Sequence, residues 1–204
     1  MWNKKPFIIV LSAPSGTGKT TICREIIKRD RNVEYSISIT TRPLRVGERD
    51  GFDYFFIDQE IFLQKIKNNE FLEYAEVFGY YYGTPISNVE KAFSKNKEII
   101  MDLDVSGARS IKKKYPDDSI TIFLVPPNID ELQKRLITRN RDPVEVINER
   151  IKKAIEEIEF YRYYDYLVIN DDIDKSVNDV LSILKAERLK VERIKEVEWI
   201  KQLQ

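Results

Sequence analysis

Apolar positions fall along the chain in two different rhythms. Phe7-Ile8-Ile9-Val10-Leu11 is a short unbroken apolar run that ends in a Ser-Ala-Pro-Ser-Gly turn. A run of that length without alternation predicts a strand buried on both faces, as in a parallel sheet. Ile99-Ile100-Met101, Ile120-Thr121-Ile122-Phe123-Leu124-Val125 and Tyr166-Leu167-Val168-Ile169 read the same way. Helical spacing fills the intervals: about 18–30, where Ile22, Ile26 and Ile27 share a face, then near 105–115, 128–139 and 143–163. Strand and helix in alternation predict a parallel sheet covered by helices on both sides.

Residues 35–85 break this rhythm. Tyr35-Ser36-Ile37-Ser38-Ile39 alternates polar and apolar, and Tyr54–Ile57 and Phe71–Phe78 are strand-like. Gly47, Gly51 and Gly79 separate them, and one helix is expected near 59–68. The pattern predicts a small, mixed, mainly antiparallel subdomain inserted into the α/β core. The stretch 175–203 reads as a charged helix with apolar positions at Val180, Leu184, Ile194 and Ile200 that packs along the core and has no part in the chemistry.

Composition narrows the chemistry. In 204 residues there are 34 Lys+Arg and 34 Asp+Glu, so the formal net charge is zero, which argues against a general nucleic-acid or anionic-membrane binder. Histidine is absent, which removes His-based triads and imidazole zinc sites. Cys23 stands alone and can form no internal disulfide. The apolar stretch Phe7–Ser12 is too short for a signal-peptide core, and nothing approaches the roughly 18 apolar residues of a membrane span. A cytoplasmic protein is expected.

Ala13-Pro14-Ser15-Gly16-Thr17-Gly18-Lys19-Thr20 matches G-x-x-x-x-G-K-[ST], with Ala13 in place of the first glycine. A strand precedes it and a helix follows, as the motif requires. Gly16 and Gly18 let backbone N–H groups converge on phosphate oxygens, the helix N-terminus adds partial positive charge, Lys19 reaches the terminal phosphates, and Thr20 offers a hydroxyl to Mg²⁺. The run Glu98–Asp102 puts a carboxylate at the C-terminal end of a buried strand, where ligands of open α/β sheets sit. Asp102 is therefore the candidate partner of the Mg²⁺ water shell. This pair of motifs predicts ATP binding and leaves the reaction open.

Arg42 and Arg45 lie three apart around a proline-broken turn, and two guanidinium forks there suit a phosphate dianion. Asp53-Tyr54, Glu70-Phe71-Leu72-Glu73-Tyr74 and Gly79-Tyr80-Tyr81-Tyr82-Gly83-Thr84 follow. These segments, in this order after the phosphate loop, closely resemble the guanylate kinase family from about Phe7 to Asp172. The resemblance implies transfer of the ATP γ-phosphate to GMP with Mg²⁺, on a P-loop NTPase core with a GMP-binding subdomain and a helical lid. It divides the chain into core (1–34, 86–130 and 160–204), GMP-binding subdomain (35–85) and lid (131–159). It implies that Arg42, Arg45, Tyr54 and Tyr82 hold the GMP phosphate. Ser38, Glu73, Thr84 and Asp104 would read guanine. Arg135, Arg139 and Arg150 would close over the phosphates, with Asn170 near the adenine of ATP. Two departures stand out: Thr84 where some members have serine, and Asn140 where many have glycine.

The chemistry agrees. Guanine presents two donors, N1–H and the 2-amino group, and a carboxylate such as Glu73 accepts from both, whereas adenine would leave it unpaired. Sites of this kind reject the wrong analogue by roughly 10⁴-fold or more. Ser38 and Thr84 are expected to donate to guanine O6. Two other readings remain at this point: a different acceptor (AMP, UMP or dTMP) on the same architecture, and a non-catalytic module of the same fold that binds protein partners. A monomer and a homodimer are equally compatible with the sequence.

Overall fold

The computed structural model describes residues 3–14, 17–77, 79–139 and 144–196. The strands are β1 (Asn3–Lys4), β2 (Ile8–Ser12), β3 (Val33–Tyr35), β4 (Ile39–Thr40), β5 (Phe55–Phe56), β6 (Phe71–Val77), β7 (Tyr80–Pro85), β8 (Glu98–Leu103), β9 (Ser119–Val125), β10 (Tyr166–Ile169) and β11 (Ile194–Glu196). The α-helices are α1 (Lys19–Arg29), α2 (Gln59–Lys67), α3 (Ile86–Ser94), α4 (Val105–Lys114), α5 (Ile129–Arg139), α6 (Val144–Ile158) and α7 (Ile173–Glu187).

Five strands form an all-parallel sheet in the order β10-β9-β2-β8-β3. The alternation hidden inside each apolar run now has a purpose. Ile9 and Leu11 face Ile22, Ile26, Val177, Val180 and Leu184 of α1 and α7. Ile8 and Val10 face Val89, Ala92, Ala108 and Ile111 of α3 and α4. Both faces of the sheet are thus covered, which is why these strands carry almost no polar positions.

The second sheet has the order β5-β4-β7-β6, with β4–β5 parallel and the other pairs antiparallel. Its core is aromatic: Phe62 of α2 stacks on Phe71 at 4.5 Å and on Tyr81 at 5.4 Å between ring centroids. Gly83 is required by this packing, because a Cβ there would lie 2.8 Å from the Phe71 ring. Helices α5 and α6 form a separate hairpin closed by Leu132, Leu136 and Ala154. This is the P-loop NTPase fold with an inserted mixed sheet and a separate helical hairpin.

Three local expectations are corrected. The alternating run 35–39 is not one strand: Val33–Tyr35 joins the edge of the parallel sheet, and Ile39–Thr40 belongs to the second sheet. The peptide between them turns, since Ser36 N donates to Ile100 O while Asn88 Nδ2 holds Ser36 Oγ and Ile37 O. The segment 80–94, unassigned by pattern, supplies β7 and the short helix α3.

The charged helix of 175–203 ends at Glu187, and Ile194–Glu196 instead pairs antiparallel with Asn3–Lys4. Charge pairing explains the break. Arg193, 3% exposed, donates to Glu187, 0% exposed, and lies 4.2 Å from the Phe7 ring centroid. A continuous solvated helix would hold both charges in water. Ile200 lies outside the described residues.

Nearby, Arg188 clamps the ends of three elements. It donates two bonds to Glu98 at 2.8–2.9 Å and one to Asp30 at 2.6 Å. Removing one member of such a buried network strands the others. Arg188→Ala is expected to cost about 3 kcal/mol, read as a lower urea midpoint with an unchanged m-value.

Candidate active site

The phosphate loop begins where β2 stops. Ala13 is 2% exposed and keeps an ordinary φ, since Asn69 and Asn96 are the only described non-glycine residues at positive φ. The backbone conformation at this position therefore makes no demand for glycine. Gly18 differs: it precedes α1 at φ 95°, a conformation that a side chain would strain. Thr17 folds back on the loop, with Oγ1 donating to Pro14 O at 2.8 Å. Ser15 and Gly16 lie outside the described residues.

Lys19 opens α1 and donates to Ala13 O at 2.6 Å. Burial lowers its pKa, and the opposing charges of Asp102, Glu157 and Asp104 partly restore it. Thr20 Oγ1 donates to Asp102 Oδ2 at 2.5 Å, so the hydroxyl and the carboxylate predicted to face Mg²⁺ meet. A hydroxyl that donates to a carboxylate keeps its oxygen lone pairs for a cation, and oxygen donors suit Mg²⁺. The described residues hold no cluster of three or more His, Cys, Asp or Glu able to cage a metal. The pair therefore fits an ion carried largely by water and phosphate oxygens.

Asn170 sits at the end of β10, 3% exposed. Its Nδ2 donates to Thr17 O at 2.5 Å and its Oδ1 accepts from Ser176 Oγ at 3.1 Å. The side chain thus props the phosphate loop from behind. Thr17, Gly18, Lys134, Arg135 and Asn170 line a cavity of about 910 Å³ that also touches α7. Arg135 is held there by Glu131 at 2.7 Å and by Asn170 O at 3.1 Å. Arg150 is half-buried on α6. The side chain of Arg139, and residues Asn140 to Asp142, lie outside the described residues.

On the other side of the β8 end, Glu73 projects from β6. Its Oε2 and Asp104 Oδ1 each lie 3.3 Å from the place a Cβ on Gly107 would take, so both carboxylates crowd the start of α4. Asp104 caps that helix through Gly107 N at 2.8 Å. Burial raises the Glu73 pKa, Asp104's charge raises it further, and the Thr84 hydroxyl opposes both. That hydroxyl donates to Glu73 Oε1 at 2.5 Å. The donor expected to point at a base is here directed at the neighbouring carboxylate.

Tyr54 and Tyr82 pack edge to face at 5.9 Å, beside Ser38, whose carbonyl accepts from Phe55 N. Arg42, 6% exposed, forms a two-pronged pair with Glu48 at 2.8–2.9 Å, and Arg45 N donates to the same carboxylate. Arg45 itself is exposed. Glu48 was not singled out in sequence, although Arg42, Arg45 and Glu48 recur at intervals of three. Tyr35 was also missed. Its hydroxyl donates to Asp102 Oδ1 at 2.6 Å across 67 residues of chain.

A strand, a phosphate loop with its lysine, and a carboxylate at the end of the neighbouring strand define a P-loop nucleotide-binding protein. Comparison with known proteins takes this further. The guanylate kinase family profile matches residues 5–187. A guanylate kinase of Carboxydothermus hydrogenoformans is 48% identical over 190 residues, covering 93% of each chain. One of Nitrobacter winogradskyi is 44% identical, covering 93% of this chain and 87% of its own. The crystal structure of guanylate kinase from Anaplasma phagocytophilum superposes with a TM-score of 0.81 at 32% identity, over 99% of this chain and 95% of that one. The chain belongs to the guanylate kinase family, the ATP:GMP phosphotransferases among nucleoside monophosphate kinases.

Proposed function

We propose that this chain transfers the γ-phosphate of ATP to GMP, and also to dGMP, by direct in-line attack with no covalent enzyme intermediate. The observation that carries this reading is the end of β8. Asp102 there meets the phosphate-loop threonine, and two residues on Asp104 faces the half-buried Glu73. A donor-phosphate site and a base-reading site thus share one strand end.

Each residue has a task in this reading. The loop 13–20 cradles the ATP phosphates, and the cavity beside Asn170 takes its nucleoside end. Lys19 leaves the Ala13 carbonyl for the terminal phosphates. Thr20 and Asp102 hold Mg²⁺, which when bound neutralises charge on the phosphate oxygens. Arg42 exchanges Glu48 for the GMP phosphate, one pair of anionic oxygens for another, with Arg45, Tyr54 and Tyr82 completing the grip. Glu73 accepts the guanine N1–H and 2-amino protons. Asp104, Ser38 and Thr84 complete the base contacts, Thr84 by turning its hydroxyl from Glu73 to O6. Arg135, Arg139 and Arg150 come over the phosphates as 131–159 closes toward 35–85, which excludes water from the donor.

The GMP phosphate is already ionised at neutral pH, so no strong general base is needed, and charge neutralisation supplies the rate. The proposed acceptor contacts read base and phosphate only, which is why dGMP is included. Among the described residues no helix is long and apolar enough to cross a membrane. A cytoplasmic site of action belongs to the same proposal, and the single thiol fits a reducing compartment.

The test is ADP formation in a coupled assay with ATP and Mg²⁺, supplying GMP, dGMP, AMP, UMP and dTMP in turn. Turnover with the two guanine nucleotides alone is expected. Turnover with another acceptor would overturn the role of Glu73. Silence with all five, from a folded protein, would favour a non-catalytic binding module.

A further inference from the structure

Asp102 has two oxygens, and each accepts a hydrogen bond from a different part of the fold. Thr20 Oγ1 donates to Oδ2 at 2.5 Å from the first turn of α1. Tyr35 Oη donates to Oδ1 at 2.6 Å from the last residue of β3. A carboxylate offers about four lone-pair positions. With one on each oxygen taken, and from two separate elements, the group cannot turn about its Cβ–Cγ bond without breaking both bonds.

The brace is itself anchored. Tyr35 is the last residue of the parallel sheet before the chain crosses to the second sheet. Its neighbour Ser36 donates to Ile100 O at 2.8 Å, and Asn88 grips Ser36 Oγ at 3.0 Å and Ile37 O at 2.9 Å. The Tyr35 hydroxyl is therefore held against β8 from both sides of the crossing.

We infer that Tyr35 is a positioning residue for the divalent cation: its hydrogen bond sets the rotation of the Asp102 carboxylate, so that the remaining lone pairs face the water shell of the ion. This rests on the proposed role of Thr20 and Asp102. Outer partners of this kind typically alter metal affinity by about 10- to 100-fold when removed. Thr20 alone would leave the carboxylate free to rock about a single bond.

The experiment measures Mn²⁺, a paramagnetic substitute for Mg²⁺, binding to the protein–ADP complex by electron paramagnetic resonance. Wild type, Tyr35→Phe, Asp102→Asn and the double variant are compared, with thermal melting of the metal-free proteins alongside. Phenylalanine keeps the ring and its packing. Tyr35→Phe is expected to weaken Mn²⁺ about tenfold or more, with little change in the melting temperature. In the Asp102→Asn background the same substitution should add nothing, because the group it orients has lost its charge. Wild-type Mn²⁺ affinity in Tyr35→Phe, beside a weakened Asp102→Asn, would sink the inference and leave the metal site standing. Additive losses in the double variant would also sink it, since Tyr35 would then act elsewhere. Wild-type affinity in Asp102→Asn would overturn the metal site itself, and the role of Tyr35 with it.

Discussion

Lys19→Ala is expected to lower kcat by about 10³-fold or more while GMP affinity stays within about twofold. The argument starts from where the side chain sits. Lys19 is half-buried at the first residue of α1 and donates to the carbonyl of Ala13, six residues earlier. It therefore lies inside the curve of the loop that is to hold phosphate. Burial lowers its pKa, yet Asp102, Glu157 and Asp104 surround it with negative charge and favour the ammonium form. Released from the Ala13 carbonyl to the terminal phosphates, that ammonium would offset the charge that moves toward the leaving oxygen. The proposed acceptor contacts belong to other residues, so GMP binding is expected not to depend on it. Steady-state kinetics and equilibrium GMP binding measured together separate the two effects, and a normal kcat would refute the role.

Glu73→Gln is expected to reduce kcat/KM for GMP by roughly 10³- to 10⁴-fold and to leave the KM for ATP nearly unchanged. Glutamine replaces one accepting oxygen by a donor, which then faces a guanine donor. A buried site that leaves polar groups unpaired pays most of their desolvation cost, and this is the source of the discrimination. The pH profile gives a second check. Burial and Asp104 raise the Glu73 pKa. Protonation removes the acceptor, so GMP binding should weaken on the acid side sooner than for an ordinary glutamate, and the glutamine variant should lack that limb. Wild-type efficiency with GMP would end the base-reading assignment.

The core was legible in sequence because burial on both faces writes itself as continuous apolar runs. Ile8–Leu11 and Ile120–Val125 could be placed without any partner known, and the phosphate loop carries its own local chemistry. What escaped reading depends on distance. The bond from Tyr35 to Asp102 and the pairing of Arg193 with Glu187 join charged or polar residues whose local pattern is that of solvated ones. Glu48 looked like any acid in a glycine-rich turn, and only the fold shows it filling the fork of Arg42. The strand β11 was hidden for the same reason, since periodicity counts a charge as exposed whether or not it has found its opposite.

The grip of Asn88 on Ser36 and Ile37 joins the two points where the chain enters and leaves the second sheet. The entrance and the exit are neighbours, so the whole intervening segment hangs from the parallel sheet as a loop hangs from its neck. Such an insertion is a unit of inheritance as well as of structure. It can be traded for another segment of different length without stretching a single connection of the sheet that holds the donor nucleotide. In this architecture most of the proposed acceptor contacts can vary with the insertion, while Asp104 stays with the parallel sheet as the fixed point that any insertion must meet.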